Sequence, residues 1–374
     1  MSSVDDICVV TQPLSGASEP HVRALLEILD AITSVSLVTI HLPPESTIRG
    51  DYKVVDVSSL GTGSSILTAA VRFLRNQFRM ALMLWRRDEE LVLFFGATAY
   101  LLPIIAAKLS GKTVVLEPRG NVSESLYQVW SNDYPNLVSF LASKVVWAFE
   151  RLGYRLADRV ITLSPGMAED LKLEKYEDKL YRYGAWHIDL NRFRPETPYE
   201  QRGQCIGYVG RLGEEKGIKD LIPIIKALPD DVTFVFIGDG DLRSWVVSEL
   251  QEEINDGCVE ITGWIKPNQV PDQLNRLRLL VMTSRTEGLP ITILEAMACG
   301  TPAYAKPVAG VPDIVIPGKT GYLLERESPT ETATRIQAIL EEGSVEMSNR
   351  SRSFVEERYS FDAAVNRYRE AMSG

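Results

Sequence analysis

Residues 283–324 read TSRTEGLPITILEAMACGTPAYAKPVAGVPDIVIPGKTGYLL. The four apolar residues just before this stretch, 279–282, predict a buried strand that ends where it begins. A Gly-Leu-Pro turn and a predicted helix follow, with Pro290 at the expected first helical position, where its missing N–H costs nothing. A strand, a glycine turn and a helix N-terminus leave backbone N–H groups unpaired, and such groups attract an anion. Because Glu287 and Glu295 lie beside this predicted anion site, the stretch indicates a ligand with both negative charge and hydroxyl groups.

Length, composition and charge narrow the class of protein. At 374 residues the chain exceeds the roughly 250–300 at which one hydrophobic core stops growing, which predicts two domains. The formal net charge of −10 argues against nonspecific nucleic-acid binding, so no nucleic-acid partner is expected. Four scattered cysteines without a C-x-x-C pair, and three histidines without ligand spacing, predict free thiols and no metal site.

Short apolar strands alternate with helices through both halves of the chain. This alternation predicts an α/β fold with parallel sheets that are covered on both faces. The alternation breaks at 181–198, which is rich in Arg, Pro and aromatic residues and is interpreted as the interdomain linker. The uncharged run 91–107 is shorter than the roughly 20 residues of a membrane span and is interpreted as a buried strand, 91–95, followed by a helix. The acidic N-terminus lacks the basic region of a signal peptide, so a cytoplasmic location is expected.

The loop after the predicted strand 205–209 offers a second anion site. It reads VGRLGEEKGIKDL over residues 209–221, and Arg211 and Lys216 lie near the start of the next predicted helix. A phosphate there would meet the helix dipole, N–H donors and two cations together, although the loop alone also fits a glycine turn with solvated cations. Neither a Walker loop nor G-x-G-x-x-G is present. The Gly-Asp-Gly-Asp turn at 238–241 fits a cap better than a metal chelate, so no required metal is predicted.

In the order and spacing of these motifs, residues 205–325 resemble the retaining glycosyltransferases of family 4. The E-x7-E motif of that family matches Glu287 and Glu295, and its G-R…E-K-G motif matches residues 210–217. The resemblance continues more weakly through ADRVITLSPGM at 157–167. It implies the GT-B fold, in which two Rossmann-like domains with parallel sheets face each other across an interdomain cleft.

The resemblance also implies the domain limits. An acceptor-binding domain is expected at 1–190 and a nucleotide-sugar-binding domain at 191–357. The segment 358–374 is expected to form a helix that returns to the first domain.

The resemblance assigns roles to the donor-side residues. Glu287 would bind hydroxyls of the donor sugar next to the reacting centre, and Glu295 would hold the ribose. Arg211 and Lys216 would neutralise the leaving diphosphate, whose negative charge grows in the transition state. The remaining expected donor contacts come from loop backbone and from a wall against the base; they are Gly16, Gly210, Trp264, Ile265, Gly288, Leu289 and Pro290. No metal or other cofactor is implied, since the nucleotide-diphosphate sugar is itself the donor substrate.

The first half departs from the family where the acceptor binds. Many relatives carry a histidine in the loop that here reads EPRGN, so Arg119 is the candidate for that place, with Glu117 beside it. Either residue is a candidate to act on the acceptor, and the alternative is a structural Pro-Arg-Gly turn. His187, in an altered linker, is expected to be a hinge or packing residue.

Two long predicted helices, 66–87 and 137–157, carry basic stripes. The cations of the first helix are Arg72, Arg75, Arg79, Arg86 and Arg87, and those of the second are Lys144, Arg151 and Arg155. One interpretation is a pair of core helices with solvated basic faces. The other is docking on an anionic membrane surface, which would suit a lipid-linked acceptor.

These observations lead to one expected function and two alternatives. We expect a metal-independent hexosyltransferase of glycan biosynthesis that moves a sugar, with retention, from a nucleotide-diphosphate sugar to an acceptor hydroxyl. The acceptor would be a lipid-linked saccharide or another glycan, and the enzyme would attach peripherally to the cytoplasmic face of a membrane. The alternatives are a sugar-nucleotide 2-epimerase on a related fold and a sugar-nucleotide-binding protein without catalysis.

Overall fold

The protein is described by a computed structural model that covers residues 5–15, 18–57, 66–184, 186–285, 287, 289–325 and 327–373. The chain divides into two compact units, one of Met1–Trp186 with Ala364–Gly374 and one of His187–Ala363. The division falls close to the expected boundary after residue 190. The C-terminal segment belongs to the first unit, where Tyr368 and Met372 pack into the core.

The first unit contains a seven-stranded parallel sheet in the order β3-β2-β1-β4-β5-β6-β7. Its strands are β1 Ile7–Thr11, β2 Val35–Thr39, β3 Lys53–Asp56, β4 Leu91–Phe95, β5 Thr113–Glu117, β6 Arg159–Thr162 and β7 Leu180–Arg182. Its helices are α1 Glu19–Asp30, α2 Ile48–Asp51, α3 Ile66–Trp85, α4 Leu101–Leu109, α5 Val122–Asp133, α6 Asn136–Leu156 and α7 Pro165–Asp170. The strand order reverses beside β1, and loops at such a switch point commonly form a ligand site.

The apolar strands are buried on both faces, as their continuous hydrophobic runs predict. All five residues of β4 are buried. One core holds side chains of β1, α1 and the C-terminal helix, and the other holds side chains of α3, α4 and α6. The run 91–107 is therefore a strand followed by a helix, as expected, and among the described residues no helix is both long and apolar enough to cross a membrane.

The second unit contains a six-stranded parallel sheet in the order β10-β9-β8-β11-β12-β13. Its strands are β8 Cys205–Val209, β9 Thr233–Ile237, β10 Val259–Gly263, β11 Leu279–Met282, β12 Ala303–Ala305 and β13 Gly321–Leu323. Its helices are α8 Ile218–Ile225, α9 Arg243–Glu249, α10 Gln251–Asn255, α11 Val270–Arg276, α12 Ile291–Ala298, α13 Val311–Ile314, α14 Pro329–Glu342 and α15 Val345–Tyr359; α16 Phe361–Ser373 then leads into the first unit. The predicted α/β class with two Rossmann-like parallel sheets is confirmed.

Several local predictions are wrong for physical reasons. The expected linker at 181–198 begins inside β7, because Tyr181 packs against the first core and its backbone pairs with β6. Pro290 is the N-cap of α12 and not its first helical residue. The three-residue strands β12 and β13 are too short to show a period in the sequence.

The surface of α3 also differs from expectation. Asn76, which directly follows Arg75 of the basic stripe, is buried. A core helix with a solvated basic face would bury its apolar side chains, but Leu74, Phe78 and Trp85 are exposed. The interpretation of α3 as a core helix is confirmed by Met80 and Leu84, which are buried in the core. The expected purely basic outer face is wrong, since that surface is apolar as well as basic.

Candidate functional site

The donor-side candidates collect at one edge of the second sheet. The loops after β8, β10 and β11 hold nearly all of them, and these strands lie within the run β10-β9-β8-β11 of the sheet. Because the strands are parallel, their carboxyl ends lie at the same edge, where ligands bind in open α/β sheets. The tertiary fold thus brings together residues from 210 to 295.

Lys216 and Glu287 form the centre of this edge. The Lys216 Nζ donates to Glu287 Oε1 over 2.8 Å, across 71 positions of sequence. The Lys216 side chain is 28% exposed and that of Glu287 is 11% exposed, so the pair is largely withdrawn from water but still accessible. A lysine ammonium has three donors, and this contact uses one of them.

A close glycine contact holds the two loops in register. Gly217 has φ +67°, and a Cβ there would lie 2.1 Å from the Thr283 carbonyl oxygen. The Thr283 hydroxyl donates to the Gly217 carbonyl over 2.9 Å. Only glycine permits both the backbone angle and this approach, and the result is that Lys216 faces Glu287.

Arg211 lies in the same loop but has a different partner. Its guanidinium contacts Glu215 Oε1 at 2.5 Å, and its side chain is 58% exposed. The buried Tyr208 hydroxyl donates to the Arg211 carbonyl over 2.8 Å, and Gly210, at φ +148°, would place a Cβ 2.8 Å from that hydroxyl. The backbone is fixed while the cation stays at the surface, where an anionic ligand can reach it.

Glu295 lies on α12 and faces a different environment. Burial raises the pKa of its carboxyl to about 7, and the nearby positive charge of Arg192 acts in the opposite direction. Among the described residues its carboxyl has neither a hydrogen bond nor an ion pair. Glu295 is half-buried, and a carboxyl withdrawn from water without a partner is a common mark of a ligand site.

The other donor-side candidates are placed as follows. Trp264 and Ile265 follow β10, with Trp264 71% exposed, and Leu289 is half-buried beside the buried Pro290. Gly16 and Gly288 lie outside the described residues.

The Gly-Asp-Gly-Asp turn after β9 is held by local contacts. The Asp239 carboxylate accepts from the Gly240 N–H at 2.7 Å and pairs with Arg243 at 3.0 Å. In the described part of the chain, no three His, Cys, Asp or Glu side chains converge as metal ligands would. The turn interpretation thus accounts for the contacts of Asp239, whereas the predicted cap is wrong, because the N-cap of α9 is Leu242 and no side chain caps that helix.

The acceptor-side candidates lie at the carboxyl end of β5 in the first unit. Glu117 is fully buried, accepts a short hydrogen bond from the Tyr368 hydroxyl and lies 3.8 Å from Arg119 Nη1. The Arg119 guanidinium lies over the Phe95 ring at 4.7 Å and reaches His21 Nδ1 at 3.4 Å. Its side chain stays 23% exposed, whereas burial removes Glu117 from the groups that can touch an acceptor directly. Glu117 can instead position Arg119.

Burial and charge act together on this acceptor-side cluster. Desolvation, and then the positive charge of Arg119, lower the pKa of His21. Burial raises the pKa of Tyr368, and the Glu117 carboxylate adds to that shift. The Tyr368 hydroxyl therefore keeps its proton and acts as the donor.

Sequence reasoning missed several residues that shape these sites. These residues either contact partners that are distant in the sequence or bind to the backbone, and a single sequence reveals neither kind of contact. They are Thr283, Tyr208, Tyr368 and His21. His187 packs edge-on against Phe361 with ring centroids 5.1 Å apart, which agrees with a packing role.

Two protein-family models match the chain. The model described as "Glycosyl transferases group 1" matches residues 191–358, and the model described as "Glycosyl transferase 4-like domain" matches residues 16–176. The first match contains the Lys216–Glu287 pair and Glu295. The second contains Glu117 and Arg119.

Known proteins show the same likeness. The chain is similar to the sulfoquinovosyl transferase of Arabidopsis thaliana, 25% identical over 248 residues, 60% of this chain and 46% of that protein. It is also similar to the putative teichuronic acid biosynthesis glycosyltransferase TuaC of Bacillus subtilis (strain 168). The two chains are 36% identical over 179 residues, which are 45% of this chain and 43% of that protein. The chain therefore spans less than half the length of these two relatives. A solved structure of Anabaena HepE in complex with UDP covers 98% of this chain and 99% of its own, with a TM-score of 0.73 and 17% identity, and shows the shared GT-B fold.

Proposed function

Because this chain belongs to the glycosyltransferases whose group 1 and 4-like domains match its two halves, we propose that it moves a sugar from a nucleotide-diphosphate sugar to an acceptor hydroxyl, with retention and without a metal ion. The observation that carries the proposal is the Lys216–Glu287 pair at the carboxyl edge of the second sheet. It sets a cation and a carboxylate side by side, which suits a ligand that is both anionic and rich in hydroxyl groups.

The cations supply the electrostatic part of the reaction. As the bond between C1 of the sugar and the diphosphate oxygen breaks, its electron pair leaves with the diphosphate. Lys216 has two donors beyond the one given to Glu287, and Arg211 is exposed enough to turn from Glu215 to a phosphate. Both cations stabilise the leaving group more as its charge grows, which lowers the barrier.

The acceptor oxygen forms the new bond to C1 on the same face, and its proton passes to a departing phosphate oxygen. The role proposed for Glu287 is to accept hydrogen bonds from hydroxyls of the donor sugar and fix C1 in place. The role proposed for Glu295 is to accept hydrogen bonds from the ribose hydroxyls. Its carboxyl has room for both, because no described residue already binds it.

The experiment measures donor binding and transfer in the presence of EDTA. A thermal-shift panel of UDP-, GDP- and ADP-sugars identifies the donor, because a ligand that binds the native state raises the unfolding temperature. Glu287→Ala should abolish transfer, and Lys216→Met should lower it by roughly 100-fold or more, by analogy with the loss of one transition-state donor. The control Lys219→Met removes an exposed lysine that pairs with Glu214 at the same loop.

The outcomes separate the proposed function from its alternatives. Transfer that survives Glu287→Ala in a folded protein contradicts the site assignment. Conversion of the donor to its 2-epimer without transfer supports the epimerase, and donor binding without turnover on any acceptor supports a binding protein. Loss of activity with EDTA that returns with a divalent cation contradicts metal independence.

The acceptor-side proposal rests on Arg119. Its guanidinium is accessible while Glu117, Phe95 and His21 hold it in one place. We expect it to bind the acceptor beside the attacking hydroxyl, with Glu117 positioning it. Arg119→Lys keeps the charge but loses the planar contacts, so it should raise the KM for acceptor and leave donor binding unchanged.

A lipid-linked acceptor is proposed because of the outer surface of α3. Leu74, Phe78 and Trp85 are exposed beside the cations Arg75 and Arg79, a combination that suits an anionic membrane surface. On α6 the side chains Leu137, Leu141 and Val145 are exposed as well.

Flotation with anionic vesicles tests this membrane proposal. Phe78→Glu should release the protein from the vesicles, whereas Val345→Glu, on an exposed apolar residue of the second unit, should not. No binding at low salt, or equal binding to vesicles without anionic lipid, contradicts it.

A further inference from the structure

A second concave surface lies in the first unit, among α5, α6, α7 and the 3-10 helix Glu174–Lys179. It is a groove of about 910 Å³. No step of the proposed transfer reaction uses it. Its lining combines three chemistries, namely cations, aromatic rings and neutral or acidic hydrogen-bonding groups.

The cations of this groove are available for a ligand. Four cationic side chains line the groove without forming an ion pair or a hydrogen bond within the described residues. They are Lys144, Arg155, Lys172 and Lys175. Arg151 has a structural task, because it donates to the Leu171 carbonyl over 2.6 Å and so ties the loop to α6. Four exposed cations around one groove in a chain of net charge −10 form a local positive field.

Aromatic rings lie between these cations. The Trp147 ring, 45% exposed, has Lys144 Nζ 5.7 Å from its centroid on α6. The Tyr176 ring has Lys175 Nζ at 4.9 Å. An aromatic face with a cation beside it offers an apolar platform and a positive charge to one ligand.

The remaining groups distinguish a saccharide from a membrane. Glu124, Asp170, Asn121 and Ser143 also line the groove, and carboxylates and amides bind hydroxyl groups well. Such groups suit saccharide hydroxyls, and a concave wall cannot lie flat on a bilayer. The outer surface of α3 is apolar and basic, so the two surfaces suit different ligands.

We propose that this groove binds an acidic oligosaccharide, with the aromatic rings against the sugar faces and the cations on carboxylate or phosphate substituents. The lining residues of α6 run from Phe140 to Arg155, which is roughly 22 Å along the helix and long enough for several sugar units. Asn121, which also lines the groove, is two residues from Arg119 in the sequence. The groove would therefore hold the part of a growing acidic chain that lies away from the attacking hydroxyl, an interpretation that rests on the proposed transferase function.

The experiment is calorimetric titration of the full chain, without donor, with hexagalacturonate, maltohexaose and inorganic phosphate. Hexagalacturonate should bind at least about tenfold more tightly than the neutral hexasaccharide or phosphate. Lys144→Gln/Lys175→Gln should weaken that binding by about tenfold, and Trp147→Ala should weaken it as well. The matched control, Lys53→Gln/Lys319→Gln, removes the same charge from exposed lysines outside the groove and should leave the affinity unchanged.

Three results would overturn the proposal. The first is equal affinity for the neutral and the acidic hexasaccharide. The second is an equal loss of hexagalacturonate affinity in the groove double variant and the control double variant. The third is binding of anionic vesicles through Lys144 and Lys175 without binding of hexagalacturonate. The thermal shift caused by the nucleotide-sugar is measured on the same samples. A protein that binds donor but no acidic saccharide contradicts the groove alone, whereas the reverse result contradicts the transferase and leaves the groove in place.

Discussion

Replacing Glu295 by glutamine should stabilise the ligand-free protein at alkaline pH. Burial raises the pKa of this carboxyl from 4.5 to about 7, because the charged form loses its hydration without gaining a hydrogen bond. The folded state therefore prefers the protonated carboxyl. The protonated carboxyl contributes stability to the folded state. This contribution is fully present below pH 4.5, the pKa in the unfolded chain, and is lost as the pH rises through about 7, the pKa in the folded chain.

The magnitude follows from these two pKa values. At about 1.4 kcal/mol for each tenfold change, ionising Glu295 in the folded chain costs about 3 kcal/mol at pH 8 and less than about 1 kcal/mol at pH 5. Glutamine has the same shape and no charge, so it avoids this cost. For a unit of this size the gain at pH 8 corresponds to roughly 6–12 °C in the unfolding temperature.

Guanidinium and thermal unfolding at pH 5 and pH 8 measure the effect. The gap between Glu295→Gln and the parent should open between these two pH values. Glu252→Gln, on an exposed residue of α10, removes the same charge and controls for net charge. A gap of the same size at both pH values, or a parent that is the more stable at pH 8, would refute the assignment of a half-buried carboxyl without a partner.

Three further predictions address other parts of the structure. Gly217→Ala should destabilise the second unit by at least about 2 kcal/mol in thermal unfolding, because the new side chain meets both a positive φ and a backbone clash. The control Gly257→Ala has a positive φ of +79° but lies in open space, so it should cost only about 1 kcal/mol. Tyr368→Phe removes the hydroxyl that donates to the buried Glu117 and should lower the free energy of unfolding by about 1–3 kcal/mol. The control Tyr181→Phe, in the same core, should change it little, and equal losses in the two variants would contradict the role of the Tyr368 hydroxyl. If ribose hydroxyls bind the ionised carboxyl of Glu295, nucleotide binding near pH 6.5 should release protons from it, because its pKa without ligand is about 7. Calorimetry should show this release as a binding heat that depends on the buffer, and the affinity for nucleotide should rise from pH 5 to pH 7.

The sequence by itself determined the class of fold and the order of the donor motifs. Apolar runs of strand length that alternate with helices require parallel sheets covered on both faces, and that inference needs only local patterns. The spacing of Glu287 and Glu295 and the Gly-Arg loop around Arg211 led to the glycosyltransferase family. The same local reasoning failed on β12, β13 and the linker, where pairing with distant strands decides the structure.

Only the tertiary structure decided which groups meet and how they are charged. Lys216 reaches Glu287 across 71 positions because β8 and β11 are neighbours, and Gly217 lets their loops touch. The pKa of Glu295 depends on its burial and on the charge of Arg192, which lies in a distant part of the sequence. The apolar surface of α3 and the groove beside Trp147 are likewise set by which helix faces the cores leave uncovered. Contacts, burial and solvation are long-range properties of the folded chain, and for that reason a local pattern predicts the elements but not the chemistry at their ends.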